Sequence, residues 1–243
     1  MEKDKQPASA SDLHKNHRKR LFARYSRDGF DSFEEHNILE LLLFYSIPRA
    51  DTNPTAHNLI NRFGSLYGVL TAPPEELVKV DGVGPASAQL LHAIFDSART
   101  ANLHRLCESP IKDYDRLLKV AVEWMAGRDA GTSAVILLND RNEVQDIAVL
   151  ASRHVTTPPS YPEAVLALAR KYAVSKVVLM HNHPDAVMHP SASDRCMTAD
   201  IYRFLKDNGV QLMEHLIVHE FDVNPILDES MCETVSGFPR AYL

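Results

Sequence analysis

The apolar positions of this chain fall into two regimes. Up to about residue 125 they recur at helical spacing; from residue 132 onward short β-branched runs alternate with turns and helical stretches. Ile38-Leu39-Glu40-Leu41-Leu42-Leu43-Phe44-Tyr45 predicts an all-round apolar helix ending near Pro48, the centre of a small helical core. Residues 56–63 predict a second helix, closed by Gly64 as a C-terminal cap. Pro73-Pro74-Glu75-Glu76 places proline and acid in a first turn, and a helix following Gly84 continues to about Leu106. Cys107-Glu108-Ser109-Pro110 predicts a linker. Residues 114–125 form an amphipathic helix with Leu117, Leu118, Val120, Ala121 and Trp124 as its apolar positions. Residues 132–138 and 143–150 predict a hairpin turned by Asn139-Asp140-Arg141-Asn142. A helix over 162–172, a strand over 176–180, a helix through 200–205 and a strand over 210–219 follow, and the remaining C-terminal stretch reads as irregular. The fold class is therefore α/β (α+β). Residues 1–12 are a polar, disordered tail, residues 13–106 an all-helical domain, and residues 113–243 a mixed-sheet domain.

Composition narrows this picture without naming a chemistry. A length of 243 residues buries one large core or two small ones. The net charge of −6 provides no global positive field for nucleic acid. No apolar run approaches 18 residues, which argues against a membrane span, and the polar N-terminus has no signal-peptide core. Cys107, Cys196 and Cys232 are scattered and lack metal or redox spacing, so a reduced, cytoplasmic protein is expected.

The chemistry concentrates in His181-Asn182-His183-Pro184 and His189-Pro190-Ser191-Ala192-Ser193-Asp194. In extended backbone, residues i and i+2 point the same way, so His181 and His183 can converge where the strand over 176–180 ends. Asp194 falls in the first turns of the next helix and can bring a carboxylate to the same point. Two imidazoles and a carboxylate form a three-ligand set with one position left open, as a catalytic zinc requires. His-Asn-His as adjacent letters is not the dispersed pattern of an HNH nuclease. Elsewhere, Val80-Asp81-Gly82-Val83-Gly84 feeds a helix like a helix-hairpin-helix turn, in which Gly82 and Gly84 could expose backbone N–H groups to a nucleic-acid phosphate. Pro85 removes one donor there, and no cation follows through Gln89, so a structural or protein-docking hairpin is the alternative. The basic run from His14 to Arg20 reads either as a solvated helix face or as a phosphate contact.

The spacing His-x-His-x7-Ser-x2-Asp, in the wording His-Asn-His-Pro, resembles the JAMM motif of the RadC family. Arg18-Lys19-Arg20-Leu21, the leucine-rich stretch at 39–43 and Gly82-Val83-Gly84 resemble that family's helical region. The resemblance covers roughly residues 17–220. It implies a JAMM/MPN-type domain akin to cytidine-deaminase-like folds. It also implies one Zn2+ held by His181, His183 and Asp194, and Ser191 as the stabiliser of an oxyanion. Such domains place a glutamate on the first strand as general base, and the matching position here is Gly131. Asp129 is the first substitute, with Glu123 and Glu214 behind it. Further departures are Pro162-Glu163-Ala164, Asp185-Ala186 and Glu214-His215. Asp185 and His189 are additional candidates beside the ligands, and His215 reads as a core histidine or as a partner of a ligand. Two functions follow from the resemblance. One is a zinc-dependent hydrolase of peptide or isopeptide-type amides. The other is a weak or inactive zinc-binding module that binds DNA or a protein partner, the family name being tied to DNA repair.

Overall fold

The computed structural model describes residues 10–156, 160–183 and 187–227, with side chains from residue 17 onward. It divides into two compact units, Met1–Ala98 and Arg99–Leu243. The division falls inside one long helix, α6 (Pro85–Cys107), which ends where the linker was expected to begin.

In the first unit, α1 (Ala10–Asp28) starts within the stretch read as a tail, so residues 10–12 are helical; residues 1–9 lie outside the described residues. α2 (Glu35–Leu43), α3 (Asn53–Phe63), α4 (Leu66–Thr71) and α5 (Pro74–Leu77) follow. α4 was not legible from periodicity because it makes fewer than two turns; its local signal is Ser65, whose hydroxyl accepts from the Gly68 amide at 3.0 Å. Leu39, Leu43, Leu59, Val69, Leu77 and Leu91 form the core of this unit. Of the basic run, His17 meets the buried Glu40 carboxyl at 2.7 Å. Arg18 donates to the Ile47 and Ala50 carbonyls at 2.6 and 2.7 Å and lies over the Phe44 ring. Both residues hold helices together, while Lys19 and Arg20 are exposed.

The hairpin glycines differ. Gly82 adopts φ +85°, and a Cβ there would stand 2.3 Å from Thr55 Oγ1 of α3. Gly84 has open space. Close packing against α3 therefore accounts for Gly82 without any nucleic acid.

The second unit carries α7 (Tyr114–Met125), β1 (Ser133–Leu138), β2 (Val144–Ala151), α8 (Tyr161–Lys171), β3 (Lys176–His181), α9 (Ala192–Asp207), β4 (Gln211–His219) and β5 (Asp222–Pro225). Asp113 caps α7 by accepting from the Arg116 amide at 2.8 Å. In the β1–β2 turn, Asn139 Oδ1 accepts from the Arg141 and Glu143 amides while Asn142 takes φ +60°, a conformation asparagine tolerates. The sheet order is β2-β1-β3-β4-β5, mixed, with β3 and β4 parallel across the α9 crossover and the other pairs antiparallel. β5 corrects the expectation of an irregular C-terminus: it is a short polar strand ending in Pro225, and proline is tolerated there because the strand is an edge. Residues 228–243 lie outside the described residues.

The sheet buries both faces. Ala134, Ile136, Val178, Met180, Leu216 and Val218 pack with α7 residues Leu117, Val120 and Trp124. Val135, Leu137, Val177, Leu179 and Leu212 pack with Val165 and Ala169 of α8 and Ile201 and Leu205 of α9. Strand alternation fixes what comes next on that second face. Ser133 pairs with His181, and His181 with Ile217, so His181 follows Val177 and Leu179 at the strand end, between the two helices. Among the described residues no helix is long and apolar enough to cross a membrane.

Candidate metal centre

β3 delivers His181 with its backbone still in the sheet, and His183 follows two residues later. Asn182 faces elsewhere and acts as a clamp. Its Oδ1 accepts from the Thr132 amide at 2.7 Å, and its Nδ2 donates to the Asp129 carbonyl at 3.0 Å. The segment holding Gly131 is thereby pinned beside the histidines. α9 delivers Asp194 at its third position through a capping box. Ser191 Oγ accepts from the Asp194 amide at 3.1 Å, and Asp194 Oδ2 accepts from the Ser191 amide at 2.8 Å.

The ligand atoms of His181, His183 and Asp194 all lie within 4.8 Å of one another. The two Nε2 atoms are 2.8 Å apart; Asp194 Oδ1 is 3.6 Å from His181 Nε2, and Oδ2 is 3.4 Å from His183 Nε2. Of the layer behind them, the sequence named His215, as a core histidine or as a partner of a ligand, and missed Thr198. His181 Nδ1 meets His215 Nε2 at 2.9 Å, His215 Nδ1 meets Thr198 Oγ1 at 2.6 Å, and Thr198 donates to the Asp194 carbonyl at 2.6 Å. Counting protons along this chain fixes the tautomers. The one Thr198 proton goes to the carbonyl, so Nδ1–H of His215 donates to the hydroxyl. His215 Nε2 then accepts from His181 Nδ1–H, which leaves the lone pair of His181 Nε2 facing His183 and Asp194. His215, 2% exposed, is thus both the buried histidine and the ligand's partner. The irregular register between Leu212 and Glu214 brings His215 to the face of Leu212, which alternation alone would not, and the sequence could not reveal Thr198.

Electrostatics favour the metal-binding forms. Burial pushes the His181 imidazole down to about 4, with Asp194 opposing that shift and His183 adding to it. Burial likewise pushes His215 down to about 3. Burial works against the Asp194 charge, but the hydrogen bonds from Ser191 and the two imidazoles outweigh it and hold the carboxyl below its ordinary value. At neutral pH His181 and His215 are therefore neutral and Asp194 is ionised, the forms in which an imidazole and a carboxyl bind a metal. Two imidazoles and one carboxylate, tautomer-fixed and with a side left open to a cavity, fit a zinc ion of catalytic type.

The other candidates fall outside this group. The Ser191 hydroxyl donates to Asp194 Oδ2 at 2.6 Å, so it positions a ligand rather than standing free for an oxyanion. The Asp129 carboxylate faces Arg153 and His154 at 3.8 and 3.7 Å. Glu123 accepts from Asn102 Nδ2 at 2.7 Å. Glu214 turns to the opposite sheet face from His215 and accepts from the His215 and Leu227 amides. His189 is exposed and outside the ligand group, and Asp185 lies outside the described residues. A cavity of ≈ 220 Å³ opens beside the histidines, with Gly131 on its wall and Asp194 as its one acid among the described residues.

A mixed sheet between helices, with His-x-His at a strand end and an acid in the first turn of the following helix, defines a JAB-type (JAMM) domain. The model of the RadC-like JAB domain matches residues 111–227. The UPF0758 protein of Ruegeria pomeroyi is 37% identical over 205 residues, 84% of this chain and 92% of that protein. A UPF0758 protein of Fusobacterium nucleatum is 31% identical over 223 residues, 88% and 96% of the two chains. One from Rhodobacter capsulatus is 32% identical over 199 residues, 82% and 93%. The chain belongs to the RadC-like UPF0758 family.

Proposed function

We propose that this protein is a zinc-dependent hydrolase of amide bonds, of peptide or isopeptide type, and a slow one. The observation that carries the reading is the convergence of His181, His183 and Asp194 backed by the His215–Thr198 chain. When bound, zinc would lower the pKa of a coordinated water to about 7 and polarise the substrate carbonyl. The chain's own residues do the rest. His215 and Thr198 hold the His181 lone pair outward, Ser191 orients the Asp194 carboxylate, and Asn182 fixes the Gly131 segment at the cavity wall. A positioned general base contributes about 10²–10⁴-fold, and among the described residues no carboxylate other than Asp194 lines the cavity. Glycine at residue 131 supplies none. Weak hydrolysis relative to a domain with a glutamate at that position is therefore part of the proposal.

The test is metal content after purification without chelator, alongside His183→Ala. About one zinc per chain, lost in the variant, supports the reading. Absence of metal from the folded wild-type protein overturns it. If metal binds, Gly131→Glu should raise amide hydrolysis, because the space beyond residue 131 is open.

A further inference from the structure

The cavity beside the ligands has walls that metal chemistry does not require. Leu150 and Ala151 of β2, Leu179 of β3, and Met197 and Ile201 of α9 present carbon to it. Apart from the ligand cluster and the Asn182 clamp, its polar lining among the described residues is the Tyr161 hydroxyl and Ser133 Oγ, which hydrogen-bond each other at 3.2 Å. Gly131 leaves its mouth clear, with nothing within 4 Å of where a Cβ would stand. Pockets for whole small molecules measure about 300–1,000 Å³. A cavity of ≈ 220 Å³ is scaled to one side chain. Among the described residues no charged group beyond Asp194 and the histidines lines it, so a charged occupant would be desolvated with no partner from them.

We propose that this cavity is the subsite for an aliphatic side chain next to the bond that is cleaved, making the substrate class amides flanked by an aliphatic residue. Met197 at its wall is an unbranched, adaptable side chain that can close around branched or straight chains. The proposal rests on the metal-centre reading above.

The test uses the full chain loaded with Co2+ and a series of straight-chain alkyl hydroxamates from acetohydroxamate to octanohydroxamate, titrated by the cobalt absorption bands. Each methylene buried in the cavity should tighten binding about fourfold until the cavity is full, after which affinity levels off. Met197→Ala should move that plateau to longer chains. Succinic monohydroxamate, with a charged end, should bind no tighter than acetohydroxamate. A flat wild-type series, or an equal gain from the charged chain, overturns the subsite and leaves the metal centre standing. A folded protein that shows no cobalt bands overturns the metal reading, and the subsite falls with it.

Discussion

Each unit of this protein buries one polar cluster, and the two are built on opposite principles. In the helical unit the side chain of Glu40 is fully buried on α2. One of its oxygens meets His17 at 2.7 Å, and the other accepts from Asn53 at 3.3 Å. Its own carbonyl accepts from Thr52. Both carboxylate oxygens of Glu40 and its carbonyl are answered from within the unit. In the sheet unit the same inward satisfaction reaches His215, whose two nitrogens are both engaged, but stops at His181. One His181 nitrogen looks inward and the other looks into a cavity shared with Asp194. A closed network fixes packing, whereas one left open on a single side holds ligand atoms ready at low reorganisation cost.

The comparison breaks most visibly at its centres. Glu40→Ala strands Asn53 and the half-exposed His17 and removes the buried partner, so it should cost about 1–3 kcal/mol of stability by urea unfolding. His183→Ala in chelated protein should cost under ~1 kcal/mol, since a partly exposed ligand at an open edge contributes little packing. Comparable losses for the two would show that the histidine cluster is also a structural staple.

Two of the left-handed glycines, one in each unit, extend the contrast at a smaller scale. Gly82→Ala drives a Cβ into Thr55 at φ +85°, combining backbone strain with overpacking, and should cost about 3 kcal/mol. Gly131→Ala at φ +75° meets open space and should cost only the ~1–2 kcal/mol of conformation. Thermal unfolding of the pair tests this, and equal losses would mean that the Gly131 segment is packed tighter than its surroundings indicate.

Thr198→Val should leave the fold intact and weaken zinc about 10–100-fold in chelator competition, because His215 loses the acceptor that sets its tautomer. Thr198→Ser should restore affinity. Unchanged affinity in the valine variant would show that the tautomer of His181 is set elsewhere.

How far the sequence carried this reading depended on the range of each interaction. The convergence of His181, His183 and Asp194 was legible because the two histidines leave a strand end two residues apart and Asp194 falls in the first turns of the next helix, both local rules. Strand β3 and helix α7 were legible from their periodicity. β5 and α4 were not, being too short for a period to register. Thr198 and Tyr161 were invisible for a different reason. Their roles depend on α9 meeting β4 and α8 meeting β1 across 17 and 28 residues of chain, as in Thr198–His215 and Ser133–Tyr161. Asp129 was misjudged by proximity in sequence: Asn182 captures its carbonyl while its carboxylate turns to Arg153 and His154.

The finest division lies between two hydroxyls that both line or back the same site. Thr198 belongs to the proton chain ending at His181, and Tyr161 belongs to the cavity wall through Ser133. Tyr161→Phe removes one neutral hydrogen bond and keeps the ring, so stability should fall by only ~1 kcal/mol. Zinc affinity should be unchanged, because no link in the chain from Thr198 through His215 to His181 passes through the phenol. The Ser133 hydroxyl would then face the cavity with its Tyr161 partner removed, a modest polar cost that Ser133→Ala in the same background should relieve. A drop in zinc affinity on Tyr161→Phe would join the wall to the metal network and erase the distinction between what holds the ion and what shapes the space beside it.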